Sequence, residues 1–299
     1  DLPPLKSYRT AADVTMRKNH IALNELTIRV GDSRLKGTMA LEKTGSRLKS
    51  SLDLHAPLIQ LDDFDFGDWS PEPASPAKSE PERKTPQDEA ERGRLRELLS
   101  PEVLGKLDVR MGVRADQVIS GADVLGGGSL AATIKDGRFS VDPVRLNIPG
   151  GAFTLSASLK PDPKVPEASL QTVMKNFDFG VLVRRANPKA VMGGQINLDV
   201  DLRSKADSFE QLMANGNGYF DYSGRLENIK AGIIDLWAVN LIAAVLARED
   251  DSKINCVIGR WTLQDGVLTP DVFMIDTSRI RICGRGSADF KNDRIELKV

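Results

Sequence analysis

The stretch IALNELTIRVGDSRLKGTMALE, Ile21 to Glu42, decides the fold. Its apolar side chains recur at every second residue in two runs, and period two places alternate side chains on one face of a strand. Leu26, Ile28 and Val30 share a face, while Thr27 and Arg29 take the other. Between Leu23 and Leu26 the step is three residues, which a one-residue bulge produces. Gly31 and Asp32 separate the runs with turn chemistry, so the stretch predicts an antiparallel hairpin.

The hairpin is written three times. A slide of 118 residues lays Ile21 on Phe139, Leu23 on Val141, Leu26 on Val144, Ile28 on Leu146, Val30 on Ile148 and Leu35 on Phe153. A further 129 residues on, the stretch from Asp265 lays Phe273 on Val144, Ile275 on Leu146 and Ile282 on Phe153. Pro143 falls in the irregular step, where a missing backbone donor is tolerated. The tetrapeptide FDFG occurs twice, 113 residues apart, and reads as the trailing end of a repeat unit.

Chemistry is searched for and not found. DFG stands without the glycine-rich loop or HRD segment of a kinase, and GxxxxGK, HExxH and GxSxG are absent from the chain. DDFDFGD resembles a calcium loop, but with Asp63 as first ligand the twelfth position is Ala74 rather than a bidentate Glu. GGGSL at 126–130 reads as a flexible turn before a strand. The two histidines, His20 and His55, fall in strand segments and suit surface or edge positions. The expectation is a protein that is no enzyme, with no cofactor and no metal.

The formal charge is −1 with interspersed signs, and aromatic residues make up 5% of the chain, so neither nucleic acid nor a base-stacking platform is called for. Cys256 and Cys283 belong to no CxxC or Cys/His cluster and are expected as buried thiols, a disulfide being the lesser alternative. Asp1 opens the chain without an apolar segment, which reads as a cut fragment or a removed targeting segment.

Three segments follow from composition. Residues 1–67 are repeated strands; 68–94, rich in Pro, Glu, Ser and Lys, form a disordered loop; 95–299 resume the strands. Leu95, Leu98 and Leu99 suit one side of a helix that Pro101 interrupts or restarts, and Ser208 with Gln211 forms a capping box for another. Residues 231–247 are the one strongly apolar helix, and its Asp235 and Asn240 argue against a membrane span. The fold class is therefore mostly β with a few helices: about fourteen strands in a long antiparallel meander of repeated hairpins. Its apolar face is either closed in a sandwich or left open as a trough, and periodicity does not choose.

DLWAVNL (Asp235 to Leu241), INC (Ile254 to Cys256) and DG…IDT…I.G.GS (Asp265 to Ser287) resemble the C-terminal region of AsmA family proteins, and the likeness runs over most of the chain. The resemblance implies an elongated, curved, taco-like β-groove, related to bridge-like lipid transfer proteins, in a periplasmic body anchored in the inner membrane by an N-terminal helix that this chain lacks. The implied function is non-catalytic binding and transfer of phospholipid or another envelope lipid between inner and outer membranes, supporting outer-membrane biogenesis. Implied partners are the lipid, the inner membrane, and the outer membrane or its assembly machinery at the far end; nucleic acid is not among them. The alternatives are a β-scaffold that binds no lipid and a selective carrier of an apolar small molecule.

On the groove model, Leu23, Leu26, Ile28, Val30 and Met39 line the first part, and Phe139, Val144, Leu146, Ile148, Phe153 and Leu155 the second. Ile196, Leu198 and Val200 follow, then Phe273, Ile275, Ile280 and Ile282. Asp235, Asn240, Asn255, Asp276 and Thr277 match family motif positions and are expected to fix the apolar helix and the last hairpin.

Overall fold

The computed structural model describes residues 8–64, 100–121, 123–162, 165–186, 189, 191–205, 209–229 and 253–298. The apolar helix expected at 231–247, the loop expected at 68–94, the leucines at 95, 98 and 99, and Ser208 lie outside the described residues.

Alternating sequence makes strands, and sixteen are described in place of the expected fourteen. The first eight are β1 (Tyr8–Arg17), β2 (His20–Val30), β3 (Ser33–Thr44), β4 (Arg47–Gln60), β5 (Leu107–Ser120), β6 (Asp123–Lys135), β7 (Arg138–Ile148) and β8 (Gly151–Lys160). The rest are β9 (Glu167–Asp178), β10 (Gly193–Lys205), β11 (Asn217–Glu227), β12 (Ile254–Gln264), β13 (Val267–Thr277), β14 (Arg281–Cys283), β15 (Arg285–Asp289) and β16 (Arg294–Lys298). They hydrogen-bond in chain order from β1 to β13, then β15 and β16, with β14 also beside β13. Two compact units share the chain: Asp1–Val144 with Ser158–Pro166, and Arg145–Ala157 with Glu167–Val299.

The expected bulge is present and recurs. In β2 and β3, Leu23 lies opposite Met39 but Leu26 opposite Gly37, so Asn24 and Glu25 together face Thr38. Glu25 takes the extra curvature at φ 50°. In β12 and β13, Arg260 lies opposite Val272 and Trp261 opposite Pro270, which leaves Asp271 without a partner in the ladder. Asp271 holds the repeat position of Asp142, and Asp142 that of Asn24. The first and third units therefore share the irregularity along with their apolar residues.

A carboxylate residue at each FDFG copy meets a hairpin turn: Asp63, just before the first copy, and Asp178, within the second, while residues 65–67 of the first copy lie outside the described residues. Gly31 turns the chain between Val30 and Ser33 at φ 54°, and the buried Asp63 carboxylate accepts the N–H groups of Asp32 and Ser33, both at 2.9 Å, and the Ser33 hydroxyl at 2.8 Å. Asp63 thus satisfies the buried donors of Ser33 as well as the part-buried N–H of Asp32. In the second unit the N–H of Asp178 donates to the Pro149 carbonyl at 2.9 Å. A Cβ on the neighbouring Gly150 would come within 2.6 Å of the Asn176 carbonyl oxygen. Asp63 and Asp178 thus each hold a hairpin turn, by side chain in the first unit and by backbone N–H in the second.

One expectation is corrected by pairing: β4 and β5 run parallel, from Leu48 opposite Leu107 to Gln60 opposite Ile119. A meander of tight turns cannot do this, because parallel neighbours need a connection that returns the whole strand length. The connection here is the Pro-rich stretch together with its flanks. At its near end the helix Pro101–Leu104 starts at, rather than being broken by, its proline, with Ser100 Oγ accepting the Val103 N–H at 3.4 Å. Leu104 from this helix is buried.

Cys256 and Cys283 are a second correction: both are free, Cys256 half-buried and Cys283 exposed. Cys256 pairs with Asp276 and Cys283 with Met274, on the face opposite Phe273 and Ile275, so neither enters an apolar layer. His20 is half-buried; His55 is exposed and bonds Asp116 at 2.9 Å.

Candidate functional site

Register converts the strand patterns into faces, since directly opposed residues point the same way. In the first unit one row runs Val14, Leu23, Met39, Leu52, Met111 and Ala132 across β1 to β6. A neighbouring row runs Leu26, Gly37, Leu54, Val113 and Leu130. The bulge keeps Leu23 and Leu26 on one face, and alternation adds Ile28 and Val30 to it. Leu26 and Val30 are buried, whereas Leu23, Ile28 and Met39 stay half-buried.

In the second unit one row runs Met174, Leu198, Tyr222, Gly259 and Phe273 across β9 to β13. The next runs Phe177, Ile196, Gly224, Val257, Ile275 and Ile282. A third places Val200 beside Phe220 and Trp261. The sequence-derived Ile196, Leu198, Val200, Phe273, Ile275 and Ile282 therefore come together on one face. Ile280 does not join the ladder; it sits in the turn before β14, bonded to Thr277.

The remaining groove candidates occupy β7 and β8. Phe139, Val144, Leu146 and Ile148 are half-buried and alternate from Val144 onward with exposed Arg145 and Asn147, and Phe153 and Leu155 are half-buried in β8.

Among the described residues, both ends of the second unit's apolar face are covered and its middle is left open. At one end Leu263 is buried, and a Cβ on Gly216, just past the helix Phe209–Ala214, would meet its Cδ2 at 2.6 Å. At the other end the Phe179 ring lies against Gly194, before the helix Gly180–Ala186. Between them Trp261 folds over Gly259 and packs on Phe273 at a centroid distance of 5.7 Å. Phe220 remains 39% exposed, and partial burial pushes the Tyr222 hydroxyl pKa up.

The opposite face of the same strands mixes charged side chains with exposed Ile258 and Val272 and carries a depression of about 520 Å³, lined in part by Val173, Asn197, Asp199, Asp221, Arg260 and Val272. Arg260 binds both Asp221 oxygens, Nε at 3.0 and 3.1 Å and Nη2 at 2.9 Å, which raises its pKa further. Tyr219 donates to Asp199 at 3.1 Å and its pKa is raised by that bond. These groups bond one another and offer no activated nucleophile or acid–base pair.

Of the motif residues, Asp235 and Asn240 lie outside the described residues. Asn255 Nδ2 donates to Asp276 at 3.1 Å and Arg281 Nε donates to its other oxygen at 3.1 Å. Together they hold the Asp276 pKa below its ordinary value. Thr277 Oγ1 accepts the N–H groups of Arg279 and Ile280. Asn255, Asp276 and Thr277 thus meet at the β13–β14 turn.

Sequence reasoning missed Leu52, Met111, Met174, Tyr222, Val257 and Trp261 on these faces. The signal was alternation within β4, β5 and β9, legible as strands but without a register to orient them. Among the described residues no helix is long and apolar enough to cross a membrane, and no cluster of His, Cys, Asp and Glu could hold a metal.

The family model described as "AsmA family" matches residues 5–273. The curated "AsmA family protein YhjG" of Escherichia coli (strain K12) is 22% identical over 313 aligned positions, covering 100% of this chain. The chain spans 45% of that relative's length. No solved structure matches. With a family model covering nearly all of a chain whose strands repeat one hairpin, the protein belongs to the AsmA family.

Proposed function

We propose that the chain is a non-catalytic lipid-binding module whose apolar sheet faces hold acyl chains, and that it serves phospholipid transfer between inner and outer membranes and so outer-membrane biogenesis. On this reading it works in the periplasm, tethered to the inner membrane in the full-length protein. The observation that carries the reading is the open middle of the second unit's apolar face. There Leu198, Tyr222, Trp261 and Phe273 are only half-buried although register aligns them in contiguous apolar rows.

An acyl chain laid on such a face gains about 0.8 kcal/mol for each CH₂ it buries. Contacts of this kind are non-directional, so selectivity among lipids is low and movement along the face is easy. Family membership supports the same assignment.

Native mass spectrometry with lipid extraction on the chain purified from a bacterial host tests it. Co-purified phospholipid that other acyl lipids displace is the expected result. A clean apo mass with no uptake of fluorescent lipid would replace this reading with a scaffold that binds none.

A further inference from the structure

We propose that the end of the first unit carrying the β1–β2, β3–β4 and β6–β7 turns docks on an anionic lipid bilayer. The inference goes beyond acyl-chain binding, since it concerns the rim of the sheet rather than its face.

The turns at that end sit against one another. Lys43 N–H donates to the Asn19 carbonyl and Leu48 N–H to the Lys106 carbonyl, both at 2.9 Å. The β6–β7 turn joins them through Gly137, whose added Cβ would stand 3.9 Å from the Gly105 Cα. Arg17 and Lys18 close the first turn, Lys43 and Arg47 flank the second, and Lys106 and Lys135 come from the start of β5 and the end of β6. All six are exposed, and none forms an ion pair among the described residues. Among the described residues, Glu42, Glu102, Asp108 and Asp136 share this end and leave the cations in excess. Among the described residues of the opposite end, Arg9, Arg29, Arg34 and Lys36 are balanced by Asp32, Asp62, Asp63 and Asp116.

Exposed aliphatic side chains are set among these cations. Met16, next to Arg17, is 71% exposed, and Leu48, between Arg47 and Lys49, is 39% exposed. Met16 lies opposite Ile21 and Leu48 opposite Leu107, so both extend the apolar face to the charged rim. A cationic rim attracts anionic headgroups, and aliphatic residues at the same level enter the acyl boundary. Nucleic acid shares the charge preference, but the interleaved side chains here are aliphatic and suit acyl chains rather than stacked bases.

Co-sedimentation of the whole chain with vesicles of phosphatidylcholine alone, and of phosphatidylcholine mixed with phosphatidylglycerol, tests the docking. The expected result is binding to the anionic vesicles only, weakened by salt. Lys43→Gln with Arg47→Gln lowers partitioning roughly thirtyfold, about fivefold for each cation. Arg29→Gln with Arg34→Gln, at the balanced end, leaves it unchanged. Leu48→Ser removes the part that resists salt. All these positions are exposed or at the rim, and circular dichroism checks that each variant folds.

Equal binding to both vesicles, no binding at low salt, or displacement from vesicles by a short RNA whose own binding ignores Leu48→Ser would each overturn the proposal. Lipid occupancy measured on the same samples separates the two readings. Docking by a chain that carries no lipid upholds this inference and removes the acyl-chain one.

Discussion

Trp261 lies across the backbone of Gly259, so close that a Cβ built there would stand 2.6 Å from the indole nitrogen. The bare backbone of Gly259 is the floor on which the indole rests, between Tyr222 on one neighbouring strand and Phe273 on the other. Gly259→Ala lifts the indole and breaks its packing on Phe273. The expected cost is about 1 kcal/mol, the low end for overpacking, because the obstruction is a side chain able to shift. In a background where Trp69 and Trp237 are Phe, a red shift of the remaining tryptophan emission checks it; unchanged emission and stability would refute the contact.

Asp63→Ala leaves the buried N–H and hydroxyl of Ser33, and the part-buried N–H of Asp32, without their acceptor. Unmet buried donors cost about 1 to 3 kcal/mol each. A lowered urea midpoint and faster hydrogen exchange at Ser33 are expected. Exchange at Ser33 as slow as in the wild type would show that the clamp is dispensable.

Leu198 and Leu263 lie on one apolar face, but Leu198 is half-buried and Leu263 is 2% exposed. Leu198→Asp keeps its carboxylate in reach of water, so the fold persists while lipid occupancy falls. Leu263→Asp forces an unpaired carboxylate into the covered end and unfolds the unit or raises that carboxyl's pKa sharply. Equal thermal melts for the two variants would contradict an open middle. Ile28→Asp in the first unit is expected to follow Leu198→Asp.

Asp276 titrates below its ordinary 3.8 because Asn255 and Arg281 hydrogen-bond its charged form. A depressed folded pKa contributes stability that is present above 3.8 and is lost as pH falls through the lower folded value. Asn255→Ala should therefore move the Asp276 midpoint upward toward 3.8, read from its carboxyl carbon by NMR. The β13–β14 turn should then loosen at higher pH than in the wild type. An unmoved midpoint would assign the depression to Arg281 alone.

The bulged hairpin was legible because a bulge changes the apolar step from two residues to three, and Leu23 to Leu26 shows that step. Strand direction was not, since alternation reads identically in parallel and antiparallel neighbours, and the β4–β5 pair went unseen. The aromatic patch was hidden for another reason. Gly224 and Gly259 interrupt the apolar series of β11 and β12 at the positions that let Tyr222 and Trp261 spread, so the face cannot be followed by hydrophobicity. Cys256 misled in the opposite sense: it and Ile258 are apolar residues on the polar face.

The parallel pair also sets an order of events during folding. Two residues separate β2 from β3 and two separate β3 from β4, whereas forty-six lie between the end of β4 at Gln60 and the start of β5 at Leu107. Closing that longer loop costs roughly 3 kcal/mol more in chain entropy than closing a two-residue one. Hairpins from β1 to β4 can zip on their own, as can β5 with β6, but the two pieces meet only after a slow diffusive search. The β4–β5 seam is where the chain's contact order rises, and mutations along it should slow refolding more than equally destabilising ones within either meander.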